Sequence, residues 1–104
     1  MNLDDIMTDT NTIVKPELKL QRPSMYTCVF KNDDYTPMDF VVGVLCEVFH
    51  QSLQDATLIM LKVHTEGKAA VGSYTYEVAS HKCDTTIGMA RKNEFPLQVV
   101  PEPI

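Results

Sequence analysis

The 104-residue sequence is short of positive charge. Nine Lys and Arg stand against fourteen Asp and Glu, which leaves a formal net charge of −5 and a pI near 5.0. A duplex-binding protein displaces counterions from phosphates with a basic face, and this balance argues against one. It argues equally against an anionic membrane surface as partner. Long apolar runs are missing too: no stretch approaches the roughly 18 residues needed to cross a bilayer. Cysteines are few and unpaired in pattern. Cys28, Cys46 and Cys83 are odd in number, widely spaced and include no CxxC, so a disulfide framework, a zinc ribbon and a thioredoxin-like pair are all disfavoured. The four glycines, Gly43, Gly67, Gly72 and Gly88, are isolated, and no phosphate-cradling loop occurs. Met1 to Thr12 carries Asp4, Asp5 and Asp9 and no basic residue, unlike a secretory signal or a transit peptide. The expectation is a protein of the reducing cytoplasm, with each cysteine acting as a small buried hydrophobe.

What is present reads as one unit behind a tail. The length allows one domain with a real core, but not separate cofactor and substrate domains. Residues 1–22 are polar with no sustained period, and Lys15-Pro16-Glu17 reads as extended linker, so a flexible N-terminal tail is expected there, with order from about Pro23. Met25 to Lys31 is aromatic and β-branched, a strand ended by Asn32-Asp33-Asp34-Tyr35. Thr36 then offers a cap, Pro37 the first helical position and Asp39 a capping-box acid, with Tyr35 and Phe40 at the staple positions. Val41, Val44, Leu45 and Val48 form the buried stripe of this first helix, which should end near Phe49-His50.

Ser52 opens a second helix with the stripe Ala56, Ile59, Met60 and Val63, stopped by Gly67. Ala69 to Tyr74 is a strand weakened by Gly72. Thr75 caps a third helix reaching about Asn93, with Ala79, Cys83, Thr86 and Ala90 on one face, and Phe95-Pro96 ends it. A short strand, Leu97 to Val100, is closed by Pro101 and Pro103. The expected fold class is α+β, a three-stranded antiparallel sheet packed on three helices in the order β-α-α-β-α-β, over residues 23–104.

Few residues can carry chemistry. Asn32, Asp33 and Asp34 lie between a strand and a helix and together offer an amide oxygen and two carboxylates. That set suits an ammonium group, or else is only a solvated turn. It lacks the further oxygen or nitrogen ligands that a metal requires. His64 closes the second helix, where the macrodipole favours it, or stands at a pocket rim. Met38, Val41, Met60 and Val63 have core spacing, yet methionine-lined surfaces also accept varied side chains. A cluster of acceptors beside such a surface fits a free peptide N-terminus with a large apolar first residue. No local signature supports a cysteine nucleophile with His.

Three runs resemble the ClpS adaptor family: Asn32-Asp33-Asp34-Tyr35-Thr36-Pro37-Met38 followed by Phe40-Val41-Val42; Ala56 to Ala69, with its Met60-Leu61-Lys62-Val63-His64 and Gly67-Lys68; and Asn93-Glu94-Phe95-Pro96-Leu97. They stand in family order and cover about residues 20–101. The resemblance implies a non-catalytic, monomeric adaptor without cofactor. Such adaptors bind proteins that begin with Leu, Phe, Tyr or Trp and deliver them to a ClpA- or ClpC-type unfoldase working with ClpP. Carried over by position, Asn32, Asp33 and His64 hold the α-amino group. Met38, Val41, Met60, Val63 and Leu97 line the side-chain pocket, with Met38 as a gate against β-branched first residues. Asp34, Thr36 and Pro37 shape the loop, and Glu77 and Lys82 dock the unfoldase N-domain. The family's tail engages the unfoldase for delivery. Around the docking positions the chain departs from the family pattern: Ala79-Ser80-His81-Lys82 replaces the usual Ala-Glu-Thr-Lys-like run, and Tyr76 stands where a basic residue is frequent. His64 must be neutral to accept, so binding should weaken on acidification. Alternative readings are an interaction module of the same fold without N-degron delivery, a specialised ClpS paralogue with narrowed specificity, and a small hydrolase or isomerase using Asp33 and His64 as an acid–base pair.

Overall fold

Alternation places Cys28 and Phe30 on one face of the first strand, and both are fully buried there against helices. The computed structural model describes residues 24–104, so the expected tail over residues 1–22 lies outside the described residues. The elements are β1 (Met25–Lys31), α1 (Met38–Glu47), α2 (Leu53–Glu66), β2 (Lys68–Thr75), α3 (Tyr76–Lys92) and β3 (Gln98–Pro103). The sheet order is β2-β1-β3, antiparallel on both sides of β1, as expected from the element order. No helix among the described residues is long and apolar enough to cross a membrane.

The helices form where caps and stripes coincide. Ser52 Oγ accepts from the backbone N–H of Asp55 at 3.1 Å, and Thr75 Oγ1 from that of Val78 at 3.4 Å. Val41, Val44 and Leu45 of α1, Ala56 and Val63 of α2, and Ala79, Cys83, Thr86 and Ala90 of α3 are buried, while Val48, Ile59 and Met60 are half-buried. The core joins these to Phe30, Phe49, Val71, Leu97 and Val99, with Phe30 and Phe49 edge to face at 5.3 Å between ring centres. Cys28 and Cys83 sit within this core and Cys46 is half-buried; all three are free thiols.

Three local expectations need correction. Thr36 does not cap α1. Pro37 is the N-cap, in extended conformation, and the Thr36 hydroxyl is committed to Asp33 instead. The staple is not made either: Tyr35 is 79% exposed, and Phe40 packs edge to face on Phe95, at 5.0 Å. The last strand runs on through Pro101 and Pro103 rather than stopping before them. They pair with Cys28 and Tyr26 of β1, two residues apart, so their hydrogen-less nitrogens lie on the same side of an edge strand, where the ladder loses nothing. Gly72 has a φ of 75° beside the register shift between Tyr26 and Cys28, and a side chain there would run into the Tyr74 ring.

Candidate functional site

The site begins where β1 ends. After the last pair, Lys31 with Lys68, the backbone N–H of Asn32 donates to the carbonyl of Gly67 at 2.9 Å. Gly67 is the left-handed C-cap of α2, with a φ of 90°, and its own N–H donates to the Val63 carbonyl at 3.0 Å. The end of the strand is thus fastened to the end of the helix, and Asn32 and His64 share one cavity wall.

Asp33 folds the loop that follows. Its Oδ1 accepts from the backbone N–H of Tyr35 at 2.8 Å and of Thr36 at 2.7 Å, and its Oδ2 accepts from the Thr36 hydroxyl at 2.8 Å. This is the local side-chain-to-backbone pattern that makes Asp a turn residue. Partial burial pushes the carboxyl up, but the two backbone donors, the hydroxyl and the charge of Arg91 together outweigh it. The group lies below the ordinary carboxylate range. Three donors leave one acceptor site on Oδ2, whereas Asp34 takes no part in this web and lines the cavity beside it.

The cavity measures about 190 Å³. Its polar edge is Asn32, Asp33, Asp34, Thr36 and His64; its apolar wall is Met38, Val41, Met60 and Val63. Drug-sized sites start at roughly 300 Å³, so this one suits a single large side chain. Met38 is 44% exposed at the mouth, and Val41 and Val63 are buried at its base. Leu97 does not line this cavity. It is buried beneath, at a hollow of about 20 Å³ shared with Lys31, Asn32, Asp33, Thr36, Val41 and Val63. Pro37 sits at the helix start outside the lining.

Glu77 and Lys82 belong to α3 and line no part of the site. Glu77 is exposed in the first turn. Lys82 is half-buried: its Nζ donates to the Val48 carbonyl at 2.8 Å, just past α1, and sits 5.6 Å from the Phe49 ring and 5.4 Å from the Tyr74 ring. His50 and His81 are exposed. Among the described residues no group of three His, Cys, Asp or Glu is placed to hold a metal. A larger hollow, about 340 Å³, is edged by Lys62, Glu66, Lys68 and Glu102, charges of both signs that do not converge on one ligand chemistry.

Sequence reasoning missed Arg91. One of its terminal nitrogens donates to the carbonyls of Phe95 at 2.8 Å and Leu97 at 2.9 Å, which ties the α3–β3 connection under the cavity. Its position in the last turn of α3 signalled only a favourable charge for the helix end. Chemically, the cavity offers converging acceptors on one side and a methionine-lined slot on the other. It can take a cationic donor joined to an apolar group.

The comparisons with known proteins agree. The family model described as "ATP-dependent Clp protease adaptor protein ClpS" matches residues 21–100. The ATP-dependent Clp protease adapter protein ClpS of Acetivibrio thermocellus is 51% identical over 94 residues, 88% of this chain and 95% of the relative. That of Desulfatibacillum aliphaticivorans is 45% identical over 102 residues, 98% and 92%. Among solved structures, Agrobacterium tumefaciens ClpS2 bound to L-phenylalaninamide superposes with a TM-score of 0.78 at 34% identity, covering 80% of this chain and all of that one. The chain therefore belongs to the ClpS family of Clp protease adaptors.

Proposed function

We propose that this protein binds the free N-terminal residue of proteins that begin with Leu, Phe, Tyr or Trp, and delivers them to a ClpA- or ClpC-type unfoldase working with ClpP. One observation carries the reading: a cavity sized for one side chain, apolar within and ringed on one side by hydrogen-bond acceptors. An α-ammonium has three donors. Asn32, His64 and the carboxylates of Asp33 and Asp34 supply an amide oxygen, a neutral imidazole nitrogen and the charge, with Asp33 also holding the loop in shape. The side chain of that first residue enters between Met38, Val41, Met60 and Val63, over Leu97. The bound phenylalaninamide of the Agrobacterium relative is a ligand of this kind, an aromatic residue with a free amine.

The action is binding without turnover, and the chemistry belongs to the protease. Glu77, exposed on the first turn of α3, belongs to the face assigned to the unfoldase N-domain. Lys82 serves that face while also pinning α3 to the end of α1. Fluorescence anisotropy with a peptide panel varied at the first residue tests the reading. Leu, Phe, Tyr and Trp peptides should bind and be recovered unchanged. The same peptides acetylated should not bind, because they lose the charge and leave the carboxylates desolvated without a partner. Equal binding of acetylated peptides, or their cleavage, overturns it.

A further inference from the structure

The outer surface of α2 is apolar in a way its composition conceals. Residues four apart form a row along a helix. Ala56, Met60 and His64 make up the row that faces the cavity, with Met60 and His64 lining it. The adjacent row is Leu53, Thr57, Leu61 and Thr65. Leu53 is 69% exposed and Leu61 44%. The two threonines read as polar, yet each hydroxyl donates back to its own helix, Thr57 to the Leu53 carbonyl at 2.8 Å and Thr65 to the Leu61 carbonyl at 2.9 Å. Each thus spends its one donor on its own helix, which turns the hydroxyl back along the backbone and sets the methyl group beside the leucines. The row is a ridge of two leucines and two methyls, contiguous with the cavity wall.

We infer that this ridge receives the second and third residues of the bound peptide and favours apolar side chains there. The inference rests on the proposed reading of the cavity. With the amine held at Asn32, Asp33 and His64, the acidic loop closes one side of the mouth. Chain leaving away from that loop crosses Met60 and His64 and meets Leu61 and Thr57 next. The ridge spans thirteen residues of helix, Leu53 to Thr65, or about 18 Å at a rise of 1.5 Å per step. That is more than enough for two extended residues at about 3.3 Å each. An apolar side chain laid on it covers leucine surface, whereas an acidic one must give up water beside apolar groups for no hydrogen bond.

Anisotropy on the full chain tests this with three ligands: leucinamide in competition, and fluorescent peptides that begin Leu-Leu-Val or Leu-Ser-Ser. Leu-Leu-Val should bind about fivefold more tightly, the factor from covering roughly 40 Å² of apolar surface on one side. In the exposed variant Leu61→Ser the ratio should fall toward one, with leucinamide competing as well as before. A ratio of one in the parent, or a ratio unchanged in both Leu61→Ser and Leu53→Ser, overturns the inference while leaving the cavity reading intact. Failure of leucinamide and both peptides to bind overturns the cavity reading itself. Sedimentation of the parent as a dimer that Leu61→Ser makes monomeric assigns the ridge to a second copy and overturns the inference.

Discussion

The backbone N–H of Asn32 donates to the carbonyl of Gly67 at 2.9 Å, so the first residue after β1 is tied to the residue that ends α2. Asn32 and His64 are 32 positions apart in sequence, and this single bond, with the Lys31–Lys68 pair beside it, sets their spacing. Gly67→Ala should therefore reach both stability and binding. A methyl there meets open space, but the φ of 90° is costly for any side chain. The expected loss is about 1 kcal/mol by chemical denaturation, with weaker peptide binding from a shifted Asn32.

Acidification reaches Asp33 late. The Asp33 carboxyl is held below the ordinary range by its loop donors, despite partial burial that pushes it up. Its stabilising effect is present above the unfolded value, about 4, and is lost only as pH falls through the lower folded value. Asp33 thus stays ionised between about pH 5 and 8, and the loop it folds should keep its stability across that window, read by denaturation. Asp33→Asn should lose about 1 to 2 kcal/mol of stability at neutral pH, because its amide offers one acceptor where three donors converge. Below about pH 4 the variant's disadvantage should shrink.

Met38 stands half exposed in the cavity lining, and the proposed reading makes it a gate against a branched β-carbon on the first residue. Met38→Ala should admit Ile and Val first residues, raising their affinity about tenfold relative to Leu. Unchanged discrimination in an anisotropy panel would remove Met38 as the gate.

Glu77 and Lys82 should separate by measurement. Lys82→Met gives up the Val48 carbonyl bond and the contacts with Phe49 and Tyr74, so a loss of about 1 to 2 kcal/mol in unfolding free energy is expected. Glu77→Gln breaks no internal hydrogen bond and puts no cation at the start of α3. It should nearly keep the denaturation midpoint and weaken the complex with an unfoldase N-domain, read by calorimetry.

Glu94 occupies the left-handed region, with a φ of 62°, just past α3, where the Phe95 N–H returns to the Ala90 carbonyl at 2.9 Å. Glu94→Gly should raise stability by about 1 kcal/mol, visible as a higher Tm, with peptide binding unchanged.

The parts of this molecule legible in its sequence are those set by near neighbours. Ser52 and Thr75 cap as read because nothing competes for their oxygens, and the stripe Ala79, Cys83, Thr86, Ala90 needs only helical spacing to be found. Thr36 has the same residue type and failed as a cap because Asp33, three positions earlier, offers its hydroxyl a charged acceptor. Leu97, Lys82 and Arg91 were harder, since each is placed by packing between distant elements. Leu97 lies under the cavity through the tether from Arg91, and Lys82 turns inward because α1 ends with an open carbonyl within its reach. The apolar character of Thr57 and Thr65 depends on which way two hydroxyls point, a choice that composition does not record.

The prolines of β3 have a consequence for the outer edge of the sheet. An open strand edge invites any extended chain to pair with it. At Pro101 and Pro103 the outer edge lacks two hydrogen donors within three residues, so a passing extended segment finds no continuous ladder to join. The β3 edge of the sheet thus stays inert toward a passing extended chain.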